Sequence, residues 1–162
     1  MINIAEIKEI IFFENDGEID LLTGAMAPNR FNQIIKRDIE ISERNGNLLS
    51  MISLKLDITN FLSLDNLRKS KQEYKSDVEA YLIEMNFKLN NILRSSDCIA
   101  RVSKTGFWIF INSITADGFI NLENRIRNTF PSFVNLTVIN KEFGQDQTSW
   151  YQNIDAKHFN GN

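Results

Sequence analysis

A single cysteine and a single histidine among 162 residues exclude several kinds of chemistry at once. Cys98 has no partner for an internal disulfide, and its apolar neighbours mark it as a small buried residue rather than a nucleophile. His158 sits in "DAKHFNGN" near the C-terminus. One cysteine and one histidine do not make a metal cage, and their separation gives no sign of a catalytic pair. Positive charge is short as well: 18 Lys and Arg against 21 Asp and Glu leave a net charge of −3, which argues against nonspecific nucleic-acid binding. No apolar run approaches the roughly 18–20 residues needed to span a bilayer. The opening "MINIAEIKEIIFF" threads acids and lysine through its apolar positions, unlike a signal peptide. The expectation is a cytoplasmic protein without membrane insertion, nucleic acid or resident cofactor, whose partners are small ligands or proteins. With no repeats and no Pro- or Gly-rich linkers, the length suits one core.

What is present is regular periodicity. Ile4, Ile7, Ile10 and Ile11 recur at helical spacing over residues 2–14, an amphipathic arm before the main fold. Pro28 opens a helix with Phe31, Ile34, Ile35 and Ile39 on its apolar stripe, and Asn45-Gly46 can stop it. In "SMISLKLDI", Ile52, Leu54, Leu56 and Ile58 alternate with Ser53, Lys55 and Asp57, the pattern of a half-buried strand. From about Leu64 the chain reads as helical, with Val78, Leu82, Met85, Leu89, Ile92 and Leu93 on one face and "RKSKQEYKSD" as a solvated face or loop. Residues 98–102 and 107–113 form a hairpin around a turn at Ser103 to Gly106. In its second strand, "FWIFI" is apolar enough for burial on both faces. A helix capped by Thr115 follows, burying Phe119, Leu122 and Ile126, then a strand in "SFVNLTVINKEF" and a final helix in "TSWYQNIDAKHF" packed through Trp150 and Tyr151. This order implies an α/β (α+β) sheet with helices mainly on one face.

Four stretches stand in a telling order: "DLLTGAMAPNRF" from Asp20 to Phe31, "LDITNFLSLDN", "LRSSDCIARVSKTGFWIFI" and "NIDAKHF". Over residues 16–159 they resemble the GGDEF domain of diguanylate cyclases, enzymes that condense two GTP into cyclic di-GMP. They are similar to that family's D-x-L-T-G-L-x-N-R-R-x-F, its D-x-D-x-F-K-x-x-N-D, its L-R-x-x-D-x-x-x-R-x-G-G-D-E-F and its A-D-x-A-L-Y helix. Asp57, Phe61, Arg94, Asp97, Arg101 and Phe107 fall in matching columns. The resemblance implies a nucleotidyl-cyclase or palm-like fold, a central, mainly antiparallel sheet flanked by helices. An N-terminal helical arm would occupy residues 1–15 and a degenerate GGDEF-like domain residues 16–162.

In that family, carboxylates from the first strand and the signature turn hold two divalent cations that neutralise the triphosphate and activate the attacking hydroxyl. Here Asp57 remains, but Thr105 and Gly106 stand where the two acids would be. Ser103 and Lys104 replace the glycines, and Leu62 replaces a lysine. The guanine-reading pair is reversed as Asp65-Asn66, and a further acid of that site corresponds to Asp77 or Glu79. The expectation is a pseudo-diguanylate cyclase with no catalytic residues and no bound metal.

A second family site is retained. Its R-x-x-D, ending five residues before the signature turn, binds cyclic di-GMP together with an arginine eighteen positions beyond the signature phenylalanine. Arg94, Asp97 and Arg125 fill those columns. A guanidinium can donate two parallel hydrogen bonds to guanine or phosphate and stack on a purine, and a carboxylate can accept from guanine N1 and N2. The bland reading is a surface ion pair. The resemblance therefore implies an inactive cyclic di-GMP receptor, with a second copy of the chain or a signalling protein as further partner. Two alternatives stand beside it: an interaction or dimerisation module that binds no nucleotide, and a residual enzyme that binds or hydrolyses GTP or ATP.

Overall fold

Ten elements follow one another in a computed structural model that describes residues 2–160, except 66, 113 and 114, with side chains through residue 158. They are α1 (Ile4–Ile10), α2 (Pro28–Asn45), β1 (Leu49–Leu56), α3 (Ile58–Ser63), α4 (Lys71–Ile92), β2 (Cys98–Ser103), β3 (Gly106–Asn112), α5 (Ala116–Thr129), β4 (Val134–Asn140) and α6 (Gln147–Asn160). The four strands form one antiparallel sheet in the order β2-β3-β1-β4. The helix stops and starts follow local chemistry: Pro28 begins α2, and Gly46, at φ 70°, ends it with its N–H on the Ser42 carbonyl. Ser70 and Glu73 form a capping box at the head of α4, and Thr115 caps α5. Position 113, assigned to a strand by its sequence, lies outside the described residues.

Helices cover both faces of the sheet, not mainly one. On one face Ile52, Leu54, Leu56, Phe107, Ile109 and Ile111 pack with Ile7, Val78, Leu82, Met85, Leu122 and Ile126 of α1, α4 and α5. On the other, Met51, Trp108 and Phe110 pack with Phe31, Ile35 and Ile39 of α2 and with Trp150 and Ile154 of α6. β1 is accordingly buried on both sides except at Lys55. Its alternating polar residues mislead because they are small and satisfied: Ser50 donates to Asn140 Oδ1 at 2.7 Å, and the Ser53 hydroxyl bonds the His158 ring. Cys98 is buried, and burial pushes its thiol pKa up, as suits a packing residue.

Two boundaries differ from the sequence reading. Ile58 does not extend β1 but begins α3, because the Asp57 side chain accepts from Asn60 N and turns the chain into a helix. The long helix starts at Lys71 rather than near Leu64. The N-terminal helix packs onto the main fold, with Ile7 of α1 and the following Ile11, 2% and 3% exposed, in the core. Among the described residues no helix is long and apolar enough to cross a membrane.

Candidate functional site

The β2–β3 hairpin carries a distinct cluster at each end. At the turn, Arg101 is fully buried and pairs with Asp20, its Nη1 lying 3.1 and 3.2 Å from the two carboxylate oxygens. Its Nη2 donates to the Lys104 carbonyl at 2.9 Å, and its guanidinium lies 4.9 Å from the centroid of the Phe13 ring. Burial lowers the Arg101 pKa while Asp20 opposes that shift. Asp20 also accepts from the N–H and hydroxyl of Thr23. The turn is thereby fastened to the segment before α2. Lys104 Nζ donates to the Glu9 carbonyl of α1 at 2.6 Å, and Leu56 N donates to the Thr105 carbonyl at 2.9 Å.

His158 closes the turn from below. Its Nδ1 bonds Ser53 Oγ and its Nε2 lies 3.1 Å from Ser103 Oγ. The ring is 2% exposed, and burial, aided by the Lys55 charge, lowers its pKa to about 4. Gly106 makes room for it: a Cβ there would collide with Cε1 and Nε2 of the imidazole. Nothing in local sequence marks His158, because only the return of α6 onto the sheet brings it to Ser53 and Ser103.

Beside the turn, the Asp57 carboxylate is engaged by Asn60, whose N–H and Nδ2 donate at 3.1 and 2.7 Å. Lys69 spans Asp65 and Asp77, with Nζ 2.5 and 2.6 Å from their carboxylates, and these two bonds raise its pKa. The three side chains line a cavity of about 440 Å³ together with Phe61 and Tyr81. Sequence reasoning placed Lys69 in a solvated stretch. The signal it had was the charge pattern of Asp65, Lys69 and Asp77, but the path of the loop decides that they meet. Asn66 lies outside the described residues. Glu79, the other candidate for the acid of that region, pairs with Lys75 on α4. Among the described residues no group of three or more His, Cys, Asp or Glu side chains could hold a metal ion.

At the opposite end of the hairpin, Arg94, Asp97 and Arg125 line one cavity of about 390 Å³, with Thr115, Gly118 and Asn121. α4 ends at an extended Leu93, and a tight turn follows in which Asp97 N donates to the Arg94 carbonyl while Arg94 N donates to Asp97 Oδ2, both at 3.0 Å. Arg94 Nη2 reaches Asp97 Oδ1 at 3.3 Å and the Asn112 carbonyl at 3.2 Å. The guanidinium side chain remains 50% exposed, whereas the Asp97 carboxylate beneath it is fully covered. Arg125, on the exposed side of α5, makes no side-chain hydrogen bond or ion pair among the described residues. The arrangement places two guanidinium groups on one cavity, that of Arg125 without a side-chain partner among the described residues.

No family model matches the sequence, and no curated protein matches it significantly. Solved structures do resemble its fold. A microbial GGDEF domain studied with bis-(3′,5′)-cyclic di-GMP superposes with a TM-score of 0.68 at 17% identity, over 88% of each chain. The GGDEF domain of DgcB from Caulobacter crescentus, in complex with cyclic di-GMP, gives 0.67 at 14% identity over 92% of each chain. A sensory box/GGDEF family protein from Caulobacter crescentus CB15 gives 0.70 at 17% identity, covering 88% of this chain and 96% of that one. The antiparallel sheet and its flanking helices are thus those of a GGDEF domain, the fold of diguanylate cyclases.

Proposed function

We propose that this chain is a catalytically inactive GGDEF-fold domain that serves as a receptor for cyclic di-GMP through Arg94, Asp97 and Arg125. The observation that carries the reading is that Arg94, in the turn after α4, and Arg125, on α5, line one open cavity, with the Asp97 carboxylate covered beneath Arg94. In the bound state Arg94 leaves Asp97 to donate to the O6 and N7 of a guanine, the uncovered carboxylate accepts from N1 and N2, and Arg125 takes a phosphate. Inactivity is supported by the donor set near the turn. Thr105 and Gly106 supply no carboxylate, and Asp57 is engaged by Asn60. That set does not fit a pair of divalent cations, each of which needs several oxygen ligands. Lys69 engages Asp65 of the reversed guanine-reading pair, and Asp77, one of the two candidates for the further acid of that site.

Isothermal titration with cyclic di-GMP tests the reading. Wild type is expected to bind in the micromolar range, and Arg94→Ala or Arg125→Ala to weaken binding at least about tenfold, since a charge-assisted hydrogen bond contributes about 1.5–3 kcal/mol. Absence of heat from the wild-type chain, or an Arg94→Ala protein that binds as well as wild type, overturns the receptor assignment. Incubation with labelled GTP or ATP and Mg²⁺ or Mn²⁺ is expected to yield no product; turnover abolished by Asp57→Asn would overturn the inactive assignment.

A further inference from the structure

The two edges of the sheet are treated differently. The β2 edge is covered, because the strand-like segment at Met26 bridges to it: Met26 N donates to the Ile99 carbonyl at 2.9 Å and Arg101 N to the Met26 carbonyl at 3.2 Å. The β4 edge has no such cover among the described residues. Asp57 N donates to the Phe133 carbonyl and Lys141 N to the Leu49 carbonyl, so 133 and 141 bond toward β1. Alternation along an antiparallel ladder then turns the N–H and C=O groups of Leu136 and Val138 outward. The strand "VNLTVIN" holds no charge and no proline, and its register with β1 runs unbroken from Val134 to Asn140. Edges exposed in this way are ordinarily blunted by lysine, proline or a bulge. This one has none of the three.

We infer that β4 is a pairing edge for a second copy of this chain, joined antiparallel about a two-fold axis at Thr137. The occupant follows from the strand's own sequence. In that register Leu136 of one copy faces Val138 of the other and the pair exchanges both backbone hydrogen bonds, on the face that already packs Leu136 and Val138 against the core. Thr137 faces Thr137, a favourable cross-strand pair, and no like charges are opposed. The axis also brings the end of β4 that carries Phe143, 89% exposed, to the end of the other copy's β4 that carries Pro131. There a cavity of about 520 Å³, lined by Ile126, Arg127, Phe130, Pro131 and Leu136, lies between α5 and the edge. The inference is independent of cyclic di-GMP, because Arg94, Asp97 and Arg125 do not line this cavity.

Sedimentation velocity on the full chain tests the pairing. One strand per copy falls short of the about 1,600 Å² of a standard interface, so the dimer is expected to form in the micromolar range and to dominate at about 100 μM. Val138→Pro is expected to be monomeric while still folding cooperatively, since the Val138 N–H points away from β1 and proline removes no backbone hydrogen bond of the monomer. Thr137→Lys and Thr137→Glu are each expected to weaken the dimer at least about tenfold by opposing like charges, and an equimolar mixture of the two to restore it. The restoration reads the register itself, which a folding defect would not mimic. A wild-type chain that stays monomeric at about 100 μM, a folded Val138→Pro protein that dimerises like wild type, or a failed restoration with both variants folded overturns the inference.

Discussion

The two ends of the β2–β3 hairpin use the same residue types to opposite ends. At the turn, Arg101 and Asp20 are 0% and 1% exposed, and backbone carbonyls and a histidine-serine cluster close the surroundings. At the other end, Arg94 is half exposed, and Arg125 faces a cavity without a protein partner among the described residues. A guanidinium that the fold neutralises internally contributes to stability, whereas one left on an open cavity is available to a ligand. The turn is tied to α1, α6 and the segment before α2, while the distal end presents Arg94 and Arg125 on an open cavity.

The largest test of this contrast is removal of Asp20. Breaking a buried ion pair by taking away one partner leaves a buried charge uncompensated, so Asp20→Ala is expected to cost about 3–5 kcal/mol, read by urea unfolding. Asp20→Leu combined with Arg101→Met should recover much of that loss, because a packed apolar pair needs no compensation. A loss below about 1 kcal/mol, the range of exposed pairs, would erase the distinction between the two ends.

His158 gives the next effect, through pH. Its folded pKa, about 4, lies below its ordinary 6.5, so the folded state holds the neutral ring and the unfolded state binds the proton first. Stability is therefore complete above about pH 6.5 and falls as the pH drops toward 4, by up to roughly 3 kcal/mol. His158→Gln should flatten the slope between pH 6.5 and 5, before the carboxylates titrate. Gly106→Ala acts on the same cluster: its methyl meets the imidazole, at an expected cost of about 1–3 kcal/mol. Replacing His158 by Ala in the same protein should relieve part of that cost, a coupling that a double-mutant cycle measures. Simple additivity would mean that the ring does not bear on the turn.

The sequence disclosed what is local and periodic. The helix starts at Pro28 and Thr115, the turn at Ser103 to Gly106 and the doubly buried strand at Trp108 and Phe110 all follow from spacing and capping chemistry. The shared cavity of Arg94, Asp97 and Arg125 was legible only through family columns, since it is lined from the turn after α4 and from α5, which are distant in sequence. Closures that depend on the path of a loop or the return of a terminus were not legible. Lys69 looks solvated until the loop after α3 carries it between Asp65 and Asp77, and Ser53 looks exposed until α6 lays His158 against it. A buried serine and a surface serine are identical in a hydropathy pattern, which is why β1 read as half-buried.

The smallest expected effect bears most directly on the proposed ligand. The Arg94–Asp97 contact is 3.3 Å long with the guanidinium half in solvent, and exposed pairs of this kind contribute about 0–1 kcal/mol. Arg94→Gln should therefore leave the urea midpoint almost unchanged while cyclic di-GMP binding falls. Asp97→Ala should cost more, about 1–2 kcal/mol, because its covered carboxylate also accepts from Arg94 N and closes the turn after α4. The order matters more than either value. If Arg94→Gln destabilised the fold as much as Asp97→Ala, the guanidinium would be a brace for that turn, like Arg101 at the other end. The hairpin would then have two closed ends and no charge set aside for a ligand.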